Sequence, residues 1–219
     1  MGKRVLITGA TGMIGGLVLN HCLASDEVDE IIIIARRLCG ISHVKITELL
    51  VEDFAHLDAK ADCFREIDTA FFCLGVYTGA VDRQRFKEIT VDYPEQLARI
   101  LIQTSPDVRF CLLSGAGADR SERSRMMFAK DKGIIENRLS RIFQNSFHAF
   151  RPGYIYPVTP RSKPNFSYRL MRNLYPLLKL FGPNASIRSD ELARAMVHVG
   201  LHSWPEEILE NRDILQAAA

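Results

Sequence analysis

From Arg4 to Arg151, short apolar runs rich in β-branched residues alternate with amphipathic stretches. That alternation predicts parallel strands joined by crossover helices that cover both faces of a sheet. Strands are expected at Arg4–Thr8, Glu30–Ala35, Val44–Val51, Thr69–Leu74, Val108–Leu113 and Phe147–Arg151. The second holds four consecutive isoleucines, as a strand buried on both faces requires, and the third carries the weakest pattern. Helices are expected over Gly15–Ala24, from Arg83 to about Gln103, and over Phe128–Phe143, where Ile134, Ile135, Leu139 and Ile142 share a face. Pro94 interrupts the second helix or marks a restart in it. Past Pro152-Gly153 the alternation is expected to stop. Residues 157–187 are rich in proline, arginine and aromatics, with one helix expected over Ser167–Phe181, bent near Pro176. Ser189 and Asp190 suit as caps for a last helix, Glu191–His202. No repeat, low-complexity run or linker divides the chain. One domain over residues 1–219 is therefore expected, with 156–187 as a substrate or lid segment.

Composition narrows the function classes. Apolar residues make up 47% of the chain and charged residues 25%, as in an ordinary soluble globular protein. The net charge of +2, spread along the chain, argues against nucleic acid or a membrane surface as partner. Five scattered cysteines (Cys22, Cys39, Cys63, Cys73, Cys111) form no C-x-x-C pair. A disulfide framework or zinc site is not expected, and a reducing cytoplasm is. Cys73 and Cys111 fall in apolar runs, where a thiol behaves as a small buried hydrophobe. Lys3 and Arg4 precede an apolar stretch, but Gly9, Gly12, Gly15 and Gly16 interrupt it. No apolar run approaches the roughly 20 residues of a membrane span. A soluble, cytoplasmic protein is expected.

The glycines have their own logic. In V-L-I-T-G-A-T-G-M-I-G-G, Gly9, Gly12 and Gly15 stand three apart between a strand and a helix. One permits a tight turn, the next lets backbone approach a pyrophosphate, and the third allows close helix–strand packing. The helix N-terminus then offers N–H groups and a positive dipole end to the phosphates. A dinucleotide is the expected ligand. NAD-binding chains usually place an acidic residue roughly 20 residues beyond the glycines, for the ribose hydroxyls. Here the second strand ends in Ala35-Arg36-Arg37. Arginine there pairs with a 2′-phosphate through charge-assisted bonds, so NADP(H) is expected over NAD(H). The alternative is a solvated basic loop.

With these features the chain resembles an atypical short-chain dehydrogenase/reductase, with a Rossmann-type doubly wound parallel sheet, flanking helices and a small C-terminal substrate or lid region. It is similar to the branch of the Tat-interacting-protein oxidoreductases and NmrA-like proteins. The resemblance runs from Lys3 to about Val199. It rests on T-G-A-T-G-M-I-G at 8–15, A-R-R at 35–37, E-D-F at 52–54, F-C-L-G at 72–75, L-L-S-G-A-G-A-D at 112–119, K-G at 132–133 and F-R-P-G at 150–153. It implies that Thr11, Met13 and Ile14 join the glycines around the pyrophosphate. Asp53 would lie beside the adenine, and Leu74-Gly75 would border the adenosine ribose. Lys132 would hold the nicotinamide ribose hydroxyls, with Pro152, Gly153 and Tyr154 flanking the nicotinamide. Read without the resemblance, Asp53 could equally begin a helix as its cap.

Carbonyl-reducing members use a serine with a Y-x-x-x-K pair. Positions i and i+4 share a helix face, the ammonium lowers the phenol pKa, and the phenol protonates the forming alkoxide. Ser114 and Lys132 are the candidates here, but Phe128 stands four residues before Lys132. Tyr77, Tyr154 and Tyr156 lie near strand ends as candidate surrogate acids, and His148 reads as a satisfied core histidine. The expected function is an NADP(H)-binding, weak or specialised oxidoreductase on a small carbonyl or quinone-like substrate. In it Ser114 positions the substrate, and a water or nearby tyrosine delivers the proton. The alternative is a non-catalytic NADPH sensor acting through a protein partner, and in either reading a protein partner or a homodimer is open. The sensor's partner surface would be Arg161, Arg169, Arg172 and Lys179, unless that segment is a lid.

Overall fold

The computed structural model describes residues 2–158, 182, 184–202 and 204–219. The expected Ser167–Phe181 helix and Arg161, Arg169, Arg172 and Lys179 lie outside the described residues. The strands are Lys3–Thr8 (β1), Val28–Ala35 (β2), Ile46–Leu50 (β3), Thr69–Phe72 (β4), Arg109–Leu113 (β5), Phe147–Arg151 (β6), Tyr154–Tyr156 (β7), Ser186–Arg188 (β8) and Ile208–Glu210 (β9). Seven of them form one parallel sheet in the order β3-β2-β1-β4-β5-β6-β9. This is a Rossmann-type doubly wound arrangement, whose strand order reverses between β1 and β4.

Alternation within each strand sends side chains to two separate cores. Ile31 and Ile33 of β2 pack with Val5, Ile7, Phe71 and Phe150 beneath the helices Met13–Ala24 (α1), Ser189–Leu201 and Asn211–Ala217. Ile32 and Ile34 pack with Leu6, Phe72, Phe110 and Phe147 on the opposite face. There the cover is a 3-10 segment, Phe54–Phe64, with the helices Tyr93–Thr104 and Met127–Phe143. The four-isoleucine run is continuous because both of its faces are buried.

In chain order the helices after α1 are Arg83–Lys87 (α2), Tyr93–Thr104 (α3), Met127–Phe143 (α4), Ser189–Leu201 (α5) and Asn211–Ala217 (α6). Pro94 marks a restart: α2 runs into a π-helical turn, Glu88–Asp92, and α3 then begins with the proline in its first turn. Proline is tolerated there because a first-turn N–H has no intrahelical acceptor to lose.

Three expectations need correction. The parallel sheet does not end at β6. Short β9 adds a seventh strand beside Ala149–Arg151, and β7 pairs with β8 in a small second sheet. Helix α5 starts at Ser189, not Glu191, so Ser189 and Asp190 occupy its first turn, while Glu191 reaches back to accept the Arg188 N–H at 3.0 Å. Cys73 is half-buried, although Cys111 is buried as expected. His148 is a satisfied core histidine: its Nδ1 lies 2.8 Å from the Glu206 carbonyl, and burial lowers its pKa.

Candidate functional site

The β1–α1 loop opens the crevice at the switch point. Gly9 has φ +72°, a left-handed conformation favoured for glycine, and Gly12 N–H donates to its carbonyl at 2.8 Å. Gly15 packs directly on this turn: a Cβ there would fall within 2.6 Å of the Gly9 carbonyl carbon. Helix α1 begins with no side chain capping it and no acidic residue in its first turn. Its amide dipoles therefore favour an anion there.

Two cavities flank this loop and share the wall Leu74, Gly75 and Val76. The one on the β2 side, about 410 Å³, is bordered by Gly9, Thr11, Arg36, Arg37, Glu52, Phe54, Arg85 and Tyr93. Arg36 and Arg37 are exposed, and neither makes an ion pair with another described residue. Phe54 stacks on Tyr93 with centroids 5.0 Å apart. The Arg85 guanidinium lies 5.3 Å from the Tyr93 ring centroid, donates to its hydroxyl at 2.6 Å, and pairs with Glu88. Burial and the Asp53 carboxylate, which accepts the Tyr93 hydroxyl, hold that phenol above its ordinary pKa. Asp53 thus braces Tyr93, while its neighbours Glu52 and Phe54 line the cavity. We predict that Tyr93→Phe keeps the stacking but forfeits this shared hydroxyl, costing about 1 kcal/mol in urea unfolding. An unchanged midpoint would show the Asp53–Tyr93–Arg85 chain to be energetically idle.

The second cavity, about 690 Å³, opens at the ends of β4, β5 and β6. Gly12, Met13, Ile14, Cys73, Tyr77, Ser114, Phe128, Lys132, Pro152, Gly153 and Tyr154 border it. Lys132 Nζ donates to the Leu113 carbonyl at 2.9 Å. Enclosure by the cavity walls lowers its pKa to about 8, against the opposing pull of Glu136 one turn along α4. The Ser114 hydroxyl donates to Glu136 at 2.5 Å. Glu136 is fully buried and is gripped by both Nε and Nη2 of Arg151, whose Nη1 also pairs with Glu210 at 2.9 Å. The Pro152–Tyr154 turn is braced from the far end of the chain, with Asn211 Oδ1 accepting the Gly153 N–H at 2.8 Å.

No family model matches this sequence. Protein HTATIP2 of Rattus norvegicus is 27% identical over 217 residues, a span covering 97% of this chain and 88% of the relative. Among solved structures, a reductase engineered against substrate inhibition in asymmetric catalysis superposes with a TM-score of 0.71 at 13% identity, over 98% of this chain and 82% of that one. MoeE5 in complex with UDP-glucose and NAD gives 0.70 at 16%, over 94% and 75%. The UDP-N-acetylglucosamine 4-epimerase of Methanobrevibacter ruminantium gives 0.71 at 15%, over 93% and 74%. The chain shares the Rossmann-type fold of these structures and is similar over nearly its whole length to HTATIP2, as expected of an atypical short-chain dehydrogenase/reductase.

In this fold the site residues read from sequence converge on the crevice. Thr11, Arg36 and Arg37 border one cavity, and Met13, Ile14, Ser114, Lys132 and Pro152–Tyr154 the other. Leu74 and Gly75 border both. Gly15 supports the loop from below, and Asp53 stands one residue behind the wall. Of the candidate acids, Tyr77 and Tyr154 border the second cavity, whereas Tyr156 does not. Sequence reading gave no role to Glu52, Phe54, Arg85, Tyr93, Glu136 and Asn211, although Glu52 and Phe54 stand in the quoted E-D-F. Glu136 also carried a signal: it follows Lys132 by four residues and interrupts the apolar stripe of α4 beside Ile135 and Leu139.

Proposed function

We propose that the chain is an NADP(H)-dependent oxidoreductase acting on a small carbonyl or quinone-like compound. The observation that carries this reading is the pair Arg36–Arg37 at the rim of the β2-side cavity, exposed and without acidic partners among the described residues. The fit to a dinucleotide is favourable along its whole length. The uncapped start of α1 and the close Gly9–Gly15 packing suit a pyrophosphate. Glu52 and the Phe54–Tyr93 stack suit the adenine, with Asp53 acting from behind through Tyr93. Lys132 suits the second ribose, and Pro152, Gly153 and Tyr154 suit the nicotinamide. When bound, the nicotinamide ring supplies or accepts a hydride. MoeE5, with the same fold, was solved with NAD. Five free cysteines suit the reducing cytoplasm in which we place the protein.

A specific observation favours the sensor reading as second choice: the ring one turn before Lys132 is Phe128, which has no proton to give. Binding would then persist without turnover, the signal passing to a protein partner or a second copy.

Calorimetric titration with NADPH and NADH tests the cofactor. Each charge-assisted bond to a 2′-phosphate contributes about 1.5–3 kcal/mol, and about 1.4 kcal/mol is tenfold in affinity. Replacing both Arg36→Ala and Arg37→Ala should weaken NADPH binding by about 100-fold and leave NADH unchanged. Equal affinities of the wild-type chain for the two would sink the arginine argument.

A further inference from the structure

Resting on the oxidoreductase reading, we propose that Lys132 is itself the proton-exchanging group of the second cavity, its Nζ giving a proton directly to the oxygen of a bound carbonyl, or taking one directly from an alcohol. The case rests on what the cavity wall can donate besides the phenols of Tyr77 and Tyr154, whose variants are part of the test. Phe128 directs its Cζ at Gly115, where a Cβ would come within 2.7 Å of it, so this part of the wall offers only carbon. Ser114 looks like a donor in sequence but is not one in place. A hydroxyl has a single proton, and that of Ser114 is directed to the buried carboxylate of Glu136. Toward a ligand it presents lone pairs. Arg151 grips the same carboxylate with two donors and keeps it in place as the acceptor of that proton. Burial pushes the Cys73 thiol up, so it keeps its proton.

Lys132 is different. An ammonium carries three N–H donors, and Leu113 O engages one of them. The charged group acting on it is Glu136 on α4, with Arg151 of β6 paired to that carboxylate, and the titratable groups that share its cavity are Cys73 and Tyr77 beyond β4 and Tyr154 on β7. Glu136 favours the ammonium, but its charge is shared with Arg151. Enclosure prevails and brings Nζ to about 8. A free lysine amine near 10.4 gives up its proton reluctantly, whereas one near 8 is matched to transfer close to neutral pH. On reduction the substrate carbon gains the hydride that a dihydronicotinamide supplies, and the C=O π pair moves onto oxygen. That oxygen takes the Nζ proton, leaving a neutral amine that water reprotonates. Oxidation of an alcohol returns the proton to Nζ.

The test uses the full chain and two readouts. In the first, acetic anhydride labels the protein between pH 6 and 11, and mass spectrometry follows acetylation of each lysine. Lys132 should half-titrate near pH 8, and saturating NADP+ should slow its labelling. In the second, NADPH oxidation is followed with 4-nitrobenzaldehyde. The acid must be protonated to act, so kcat should fall as pH rises through about 8. Lys132→Arg should lower kcat at least 100-fold at pH 7 and abolish that limb, since general acid catalysis contributes roughly that much. The calorimetric Kd for NADPH, measured on the same variant, separates weakened ribose binding from lost proton transfer by having kcat read at saturating cofactor, and Lys132→Met serves if the arginine unfolds the chain. Labelling of Lys132 with the profile of a free amine overturns the proposal. So does an unchanged pH limb in Lys132→Arg, its loss in Tyr77→Phe or Tyr154→Phe instead, or no turnover by NADPH-loaded protein at any pH. Failure of the wild-type chain to bind NADPH, with Lys132 still titrating near 8, sinks the oxidoreductase reading instead.

Discussion

Glu136→Ala is expected to destabilise the protein by about 3–5 kcal/mol, the cost of removing one partner of a buried ion pair. Glu136 is fully buried and accepts three hydrogen bonds, two from Arg151 and one from Ser114. Without it, the Arg151 side chain, 13% exposed, keeps only Glu210, whose own side chain is 44% exposed. A guanidinium largely removed from water then lacks its main compensation. Glu136→Gln keeps shape and one acceptor, and should cost less, about 1–3 kcal/mol. Urea unfolding followed by circular dichroism measures both. Since natural domains are stable by only about 5–15 kcal/mol, the alanine variant should be visibly marginal. A loss below about 1 kcal/mol would mean that Arg151 is well solvated and that the network merely orients Ser114. The Ser114 hydroxyl would meanwhile be released toward the cavity. The same variant therefore changes what the site can donate as well as how firmly it folds.

The second large effect is expected at Gly15→Ala. A Cβ at Gly15 would press into the Gly9 carbonyl, which is backbone and cannot rotate aside. Either α1 or the Gly9 turn must move. Overpacking of this kind costs about 1–3 kcal/mol, and it displaces the amides that would meet a pyrophosphate. NADPH affinity should fall about 100-fold or more, a loss of about 2.7 kcal/mol. Gly75→Ala is the informative comparison. A Cβ at Gly75 meets nothing within 4 Å, so its stability should change by no more than about 0.5 kcal/mol. Calorimetry and thermal unfolding of both variants would separate close packing from mere flexibility. Equal effects at the two positions would discredit the packing explanation.

Some of this molecule was legible in its one-dimensional pattern. The central strands could be read because a strand buried on both faces is a continuous apolar run, as Ile31–Ile34 is. The glycine turn could be read because its spacing encodes steric demands within a few residues. The same holds for Arg36–Arg37, which must emerge at the end of β2, and for Phe128 and Lys132, which must share a face of α4. All of these depend on neighbours along the chain.

What the tertiary structure alone decided depends on residues far apart. Strands β7, β8 and β9 have three residues each, too few for a period of two to stand out. Which of Glu52, Asp53 and Phe54 faces the cavity is set by how the chain turns after β3, and Asp53 instead finds Tyr93 on α3. Asn211 reaches Gly153 across 58 residues of chain. Above all, the sequence marks Ser114 and Lys132 as candidates but not the state of their protons. Sheet register brings β6 beside β5, seats Arg151 against Glu136, and so commits the serine proton to that carboxylate. The walls that close around Lys132 come from the start of α1, the segments after β4, β5 and β6, and α4 together. Element formation is a local balance of propensity and burial pattern, whereas proton affinity answers to solvent exclusion and charge in three dimensions.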